Sequence, residues 1–183
     1  MGAKTKFLRQ FFKDRQMVGA VAPSTRFLAD KMLKNIDFEN TKVIIELGPG
    51  NGVFTEIMLE RMAPDAKLYV FELNDEFYNH VSNRIDDPRA HIIHDSAENI
   101  ADHVEENGAA DVVVSSLPLM VFPEELRSNV VNAAHKSLHS KGKYIQFQYS
   151  LQSKRYLQGI FKDVNIQFTI RNLPPAFVYT CQK

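Results

Sequence analysis

The segment that most constrains the fold of this chain is residues 43–52, VIIELGPGNG. A β-branched apolar run ends in the acid Glu46, three of the next six residues are glycine, and an amphipathic run follows over residues 53–62. This order predicts a strand, a tight turn and the start of a helix. Glycine permits positive φ and a close approach of the backbone to a ligand, while a helix N-terminus offers free N–H groups. The segment therefore favours a nucleotide-like ligand at the carboxyl end of a parallel sheet.

The glycine spacing distinguishes between two kinds of ligand. A dinucleotide-binding turn has the pattern G-x-G-x-x-G, whose third glycine allows close helix packing. Here Val53 stands at that third position, and the glycines instead follow G-x-G-x-G behind an acid. That pattern resembles the first motif of class I S-adenosylmethionine (SAM)-dependent methyltransferases. NAD binding and a glycine turn without a ligand are the alternatives.

Two more acids follow predicted strands. Glu72 ends the apolar run 68–72 and lies twenty residues after Gly52, where a carboxylate can accept hydrogen bonds from both ribose hydroxyls of a nucleotide. Asp95 follows the short strand predicted over residues 90–94. We interpret Asp95 either as an acceptor for the adenine amino group or as the cap of the helix that follows.

The remaining pattern predicts an α/β fold with a doubly wound, mostly parallel, seven-stranded sheet of the Rossmann-like type. The fourth strand and its exit loop fall in residues 111–119, and the last three strands in 143–149, 164–170 and 176–180. Helices are predicted between the first five strands and over residues 151–161, and the last two strands form a hairpin-like pair. Residues 41–183 then form one catalytic domain, preceded by a two-helix extension over residues 1–40.

The N-terminal extension is basic. Residues 1–34 contain eight Lys or Arg and two Asp, a net charge of +6, so the rest of this neutral chain carries −6. Within residues 5–18, large apolar side chains such as Phe7, Phe11 and Phe12 recur at helical spacing among cations. Such a helix either lies on an anionic membrane surface or packs its aromatic face on the domain. A second helix, capped by Ser24, is predicted to follow.

Over residues 42–181 the chain resembles the class I SAM-dependent methyltransferases, and more narrowly the bacterial phospholipid N-methyltransferases, which are related to the rRNA adenine dimethylases. The motifs that carry the resemblance are VGAVAPS at 18–24, ELGPGNG at 46–52, SSLPL at 115–119 and NLPPA at 172–176. The resemblance implies SAM as the cofactor, with Glu46 and the glycines on its methionyl part. The cofactor-binding residues would be Glu46, Gly48, Gly50, Gly52, Glu72, Asp95 and Ser115.

The loop after the fourth strand separates lipid from nucleic-acid substrates. Enzymes that methylate base amines place a Tyr or Phe at the end of this motif, and its stacking on a base contributes roughly 1–3 kcal/mol. Here Leu119 occupies that position, which disfavours a base as acceptor, although Phe122 offers a ring nearby. The lipid family commonly has glycine where this chain has Ser116. The predicted catalytic residues are Ser116, Pro118 and Tyr149.

These observations predict an N-methyltransferase for the amine of a phospholipid such as phosphatidylethanolamine, with no metal. The single cysteine, Cys181, favours a reducing compartment, so the expected location is cytoplasmic, peripheral at the inner membrane face. The expected partners are an anionic membrane, met by the N-terminal helix, and the phospholipid substrate. An RNA adenine N-methyltransferase, a small-molecule methyltransferase and a non-catalytic SAM-binding module are the alternatives.

Overall fold

The computed structural model describes residues 26–104, 109–170, 172 and 174–183. Within these residues seven strands form one sheet. They are β1 (Val43–Leu47), β2 (Lys67–Phe71), β3 (Ala90–Ile93), β4 (Ala110–Ser115), β5 (Leu138–Gln148), β6 (Asp163–Thr169) and β7 (Ala176–Gln182). Their order across the sheet is β3-β2-β1-β4-β5-β7-β6.

Six α-helices accompany the strands in the described part of the chain. They are α1 (Arg26–Leu33), α2 (Val53–Arg61), α3 (Asp75–Arg84), α4 (Ile100–His103), α5 (Glu124–Ser137) and α6 (Ser153–Gln158). Short 3₁₀ turns span Ala97–Asn99 and Leu119–Val121. The cap of α3 is typical: the Asn74 side chain accepts hydrogen bonds from the backbone N–H groups of Glu76 and Phe77, each at 3.0 Å.

The sheet is doubly wound, as predicted. Neighbouring strands from β1 to β5 pair in parallel, whereas β7 is antiparallel to both β5 and β6. The carboxyl ends of β1 to β6 therefore all lie at one edge of the sheet, which we call the carboxyl edge. Alternate strand side chains enter two cores: Ile45 and Leu47 pack on the α5 face, and Ile44 packs on the face covered by α1 and α2.

The structure corrects three predicted boundaries. Strand β5 begins at Leu138 rather than at residue 143, because buried Leu138 pairs with Ala110 and packs where Gly142 has no Cβ. Helix α6 spans only Ser153–Gln158, not residues 151–161, and ends where the Gly159 N–H bonds to the carbonyl of Arg155. The third difference lies after β4, where the predicted exit loop runs into a 3₁₀ turn, Leu119–Val121.

The N-terminal predictions divide at residue 26. The helix predicted over residues 5–18, the motif at 18–24 and the Ser24 cap lie outside the described residues. Helix α1 follows, and its Leu28 and Met32 are fully buried in the same core cluster as Ile44 of β1. Helix α1, which belongs to the predicted extension, therefore packs directly on the sheet through apolar side chains.

Candidate cofactor and acceptor site

A cleft opens at the carboxyl edge, above the first four strands. It contains about 330 Å³ of empty space, part of it open to solvent. Its walls are formed by Gly48, Phe71, Glu72, Leu73, Asp95, Ser96, Ala97, Leu117, Phe122 and Val130. Three residues predicted from separate motifs, Gly48, Glu72 and Asp95, therefore line one cavity. The other walls are mostly apolar and suit a flat ring.

The three glycines of the turn all have positive φ: 75° at Gly48, 58° at Gly50 and 82° at Gly52. The backbone at Gly48 lies close to the side chain of Leu117, since a Cβ at Gly48 would lie 2.7 Å from Cδ2 of Leu117. At Gly50 a Cβ would meet nothing within 4 Å, so the peptide there faces open space. Gly52 directly precedes α2, whose free N–H groups point toward the turn.

Glu72 follows β2 and is only 2% exposed. Its Oε1 accepts a hydrogen bond from the backbone N–H of Asn74 at 2.8 Å. Burial raises the pKa of this carboxyl to about 7, although the N–H groups of Asn74, Leu73 and Gly50 act in the opposite direction. A buried acceptor in this place matches the donor set of a ribose, whose two hydroxyls would bind the ionised carboxylate.

Glu46 lies under the glycine turn and is fully buried. Its Oε2 accepts a hydrogen bond from the Thr55 hydroxyl at 2.6 Å, while its Oε1 has no partner. Burial raises its pKa to about 8 against the Thr55 hydrogen bond, and the negative charge of Glu72 adds to the increase. An unsatisfied buried acceptor next to the turn fits a ligand that brings a donor or a positive charge.

Replacing Glu46 by glutamine is expected to flatten the pH dependence of stability. The folded carboxyl has a pKa of about 8 instead of 4.5, so the native state keeps a proton that the unfolded state loses. Stability therefore falls as the pH rises through this window, by at most about 1.4 kcal/mol per pH unit for this group. Urea denaturation without ligand at pH 6, 7.5 and 9 measures the effect.

The matched control for that experiment is Glu60→Gln, at an exposed carboxylate that pairs with Arg26. It should retain the wild-type slope. Equal slopes in wild-type and Glu46→Gln protein would contradict the assigned proton at Glu46.

Asp95 lines the cleft, and hydrogen bonds from neighbouring residues hold its carboxylate in place. Its Oδ1 accepts hydrogen bonds from the Ser96 N–H and the Asn99 amide, and Oδ2 lies 2.8 Å from Nε2 of His103. Partial burial is the largest single influence and raises the pKa, but these bonds, led by that from His103, lower it overall. The side chain that caps the following 3₁₀ turn is Ser96, which accepts from the N–H of Glu98.

The loop after β4 is tied to the end of β1. The N–H of Ser116 donates to the carbonyl of Leu47 at 2.9 Å, and the N–H of Leu117 donates to the Ser115 hydroxyl at 3.3 Å. Ser115 is fully buried and does not line the cleft. Its hydroxyl instead accepts a hydrogen bond within the loop. Leu117 is the residue of this loop that packs on Gly48 and reaches the cofactor cleft.

A buried polar network in β5 fixes the same loop. The side-chain amides of Gln146 and Gln148 both donate to the carbonyl of Leu117, at 2.9 and 3.1 Å. The hydroxyl of Tyr144, which is also hydrogen-bonded to Ser115, donates to Oε1 of Gln146 at 2.6 Å. We did not predict these residues from the sequence, although two glutamines at alternate positions of a buried strand are an available signal.

The structure separates the three predicted catalytic residues. Ser116 and Pro118 are half-buried in the loop beside the cleft, and Pro118 directly precedes its 3₁₀ turn. Tyr149 follows β5, is 42% exposed and contacts the ring of Phe147, so it does not line the cleft. No cluster of three or more potential metal-binding side chains occurs among the described residues.

Comparisons with known proteins identify the family of this chain. A family model described as a methyltransferase domain matches residues 44–142, the segment from β1 into β5 that includes the glycine turn, Glu72, Asp95 and the loop after β4. The chain belongs to this family, the class I SAM-dependent methyltransferases, and its cofactor is SAM.

One relative matches almost the entire chain. The ornithine lipid N-methyltransferase of Singulisphaera acidiphila is 31% identical over 181 residues, which cover 96% of this chain and 94% of the relative. The ribosomal RNA small subunit methyltransferase A of Mycoplasmoides gallisepticum is 24% identical over 135 residues, covering 68% of this chain and 48% of the relative.

Among solved structures, the fold is shared with 1,6-didemethyltoxoflavin-N1-methyltransferase from Burkholderia thailandensis, solved with bound 1,6-didemethyltoxoflavin and S-adenosylhomocysteine. The TM-score is 0.76 at 13% identity, covering 100% of this chain and 91% of the other. This likeness establishes the fold and carries no information on the acceptor of the present chain.

Proposed function

We propose that this protein transfers the methyl group of SAM to the amine of a lipid headgroup. The observation that carries the proposal is the 31% identity to a lipid N-methyltransferase, which extends over 96% of the chain. The match therefore extends beyond the strands that form the cofactor cleft and includes β5, β6 and β7. Phosphatidylethanolamine and an amino-acid-containing lipid such as ornithine lipid are the headgroups to compare.

The loop after β4 supports an amine as the acceptor. A lipid amine has a pKa near that of lysine, about 10, and only its neutral form attacks a methyl group. When bound, SAM supplies a methyl group already activated on a sulfonium. The apolar side chains of Leu117, Phe122 and Val130 disfavour a buried ammonium and so favour the neutral amine, whereas the carboxyl groups of Glu72 and Asp95 in the same cleft act in the opposite direction. The half-buried Ser116 hydroxyl is the loop's candidate hydrogen-bond partner for that amine.

An RNA base is the less favoured acceptor. At the end of the loop motif, Leu119 is fully buried in the core, so its side chain does not reach a substrate. Phe122 is 4% exposed and forms part of the cleft wall, where it presents little surface for stacking on a base. A small-molecule acceptor and a protein that binds SAM without turnover are outcomes of the tests below.

We further propose that the enzyme works at the inner membrane face and that the basic segment 5–18 contributes to binding there. The support is the sequence pattern, in which Phe7, Phe11 and Phe12 alternate with cations. No helix in the described ranges combines the length and the apolar character needed to cross a bilayer.

The headgroup is tested by methyl transfer to dispersed lipids that differ only at the nitrogen. We expect label from SAM in phosphatidylethanolamine or ornithine lipid and none in their N-acetylated forms. Alkaline hydrolysis of the product then distinguishes a stable N-methyl group from a labile ester. Label in the N-acetylated lipids, or an alkali-labile product, would contradict transfer to the amine.

A further inference from the structure

The exposed apolar side chains of this protein are concentrated at one edge. Among the described residues six large hydrophobic side chains are exposed, and five of them lie at the carboxyl edge of the sheet. These five are Val121, Tyr149, Leu151, Phe168 and Ile170, with exposed fractions from 42% to 74%. We call them the apolar rim. The sixth, Phe27, lies on α1.

The sheet order brings the rim together. Gln148 of β5 pairs with Phe177 of β7, which pairs with Phe168 of β6, so the carboxyl ends of β5 and β6 and the start of β7 lie at the same level. Tyr149 and Leu151 follow β5 directly, and Ile170 follows β6. The loop that carries Val121 follows β4, the neighbour of β5. The four adjacent strands β4, β5, β7 and β6 span about 14 Å at the usual strand spacing.

The C-terminal part of the chain, which carries most of the rim, is basic, and two of its cations lie beside the rim. Residues 126–183 contain nine Lys or Arg and one acid, Asp163, a net charge of +8. Asp163 begins β6 and so lies at the opposite edge, as do Lys136 and Lys141, whereas exposed Lys154 and Arg155 lie in α6, three and four residues after Leu151. Residues 35–125, which build the cofactor half, carry a net charge of −14. Glu124 and Glu125, at the start of α5, mark the boundary between the two halves at the carboxyl edge.

We propose that the apolar rim, with Lys154 and Arg155, docks this enzyme on an anionic bilayer and brings the loop after β4 to the lipid headgroups. The proposal rests on the proposed lipid substrate and adds a second contact, separate from the segment 5–18. Apolar and aromatic side chains insert at the headgroup boundary, while neighbouring cations attract anionic lipid. An anionic surface repels the acids carried by β1, β2 and β3 and their connections, so we expect the molecule to tilt with the ends of β5, β7 and β6 nearest the membrane.

The rim places the acceptor next to the cofactor cleft. Leu117 lines that cleft, and Val121 belongs to the same short loop, only four residues further on. A lipid whose tails remain in the bilayer can thus present its headgroup nitrogen to the loop without leaving the membrane. The two other ways to cover an apolar edge, by the chain's own residues 1–25 or by a second copy, predict different results in the test below.

The test is sedimentation of the full chain with vesicles of phosphatidylglycerol and phosphatidylethanolamine. We expect Leu151→Ser/Ile170→Ser to reduce the bound fraction by about tenfold or more, since both side chains are exposed and their loss costs little folding stability. The conservative pair Leu151→Met/Ile170→Val should bind like wild type. Phe7→Ser/Phe11→Ser/Phe12→Ser measures the contribution of the N-terminal segment in parallel.

Charge reversal supplies a matched pair of variants. Lys154→Glu/Arg155→Glu should lose binding to these vesicles, whereas Lys136→Glu/Lys141→Glu changes the net charge equally at the opposite edge and should lose much less. Equal losses in the two pairs would overturn a defined docking edge. Wild-type vesicle binding by Leu151→Ser/Ile170→Ser would overturn the proposal in favour of residues 1–25. A change in the oligomeric state of this variant in sedimentation velocity would overturn it in favour of a second copy.

Methyl transfer to a short-chain amine lipid below its micelle concentration distinguishes docking from catalysis. The rim variants should retain wild-type transfer to this monomeric acceptor, and loss of that transfer would place the rim in the acceptor pocket instead. Should wild type methylate no amine lipid, the proposed function fails. The vesicle-binding comparison still tests whether the rim binds the membrane, since that measurement needs no turnover.

Discussion

Glu72→Ala is expected to weaken SAM binding by at least about a hundredfold while the protein remains folded. The carboxylate is buried in the cleft, and a hydrogen bond to a charged group contributes about 1.5–3 kcal/mol. Two ribose hydroxyls on one carboxylate account for the size of the effect. Isothermal titration calorimetry measures the affinity. Because the pKa of Glu72 is about 7, the wild-type affinity should rise from pH 6 to pH 8 as this acceptor ionises.

The control for this experiment is Glu76→Ala, at an exposed position in the first turn of α3. It should bind SAM like wild type. Glu72→Ala should also be at least as stable as wild type at pH 8, because it removes a poorly solvated charge. Unchanged SAM affinity in Glu72→Ala would contradict the ribose assignment, and a flat pH profile in wild type would contradict the role of ionisation.

Gly48→Ala is expected to destabilise the protein by about 2–5 kcal/mol. Its φ of 75° costs an L-residue about 1–2 kcal/mol, and the new Cβ would lie 2.7 Å from Cδ2 of Leu117. Overpacking of this kind adds about 1–3 kcal/mol. Displacement of Leu117 should also impair methyl transfer, since this residue joins the glycine turn to the acceptor loop. Urea denaturation and turnover measure the two effects.

Gly50→Ala isolates the backbone part of that effect, so that the difference between the two substitutions measures the steric part. Its φ of 58° carries the same kind of backbone cost, but a Cβ at this position meets nothing within 4 Å. We therefore expect a smaller loss, about 1–2 kcal/mol. Equal destabilisation by the two substitutions would show that the contact between Gly48 and Leu117 contributes nothing.

The cofactor half was predictable because its information is local in the sequence. The glycine turn, Glu72 and Asp95 each follow an apolar run, and parallel strands bring all such positions to one edge. What Asp95 contacts was not predictable to the same degree. Its bond to His103 depends on how a 3₁₀ turn and α4 fold back over eight residues.

The loop after β4 and the apolar rim were harder to predict, because both depend on contacts between segments that are distant in the sequence. The amides of Gln146 and Gln148 reach the carbonyl of Leu117 about thirty residues away, so no spacing rule identifies them. The apolar rim likewise needs the order β5-β7-β6, which places the ends of β5 and β6 close together. Tyr149, which the sequence predicts to be catalytic, follows β5, and its exposed ring is one of the five side chains of the rim.

The central claim is that the methyl acceptor is a lipid amine. Its most direct measurement is transfer of labelled methyl from SAM, in parallel, to phosphatidylethanolamine or ornithine lipid vesicles, to vesicles without an amine headgroup, and to ribosomal RNA. We predict label in the amine lipids alone. Label in RNA, or in none of these acceptors while SAM still binds, would contradict the claim.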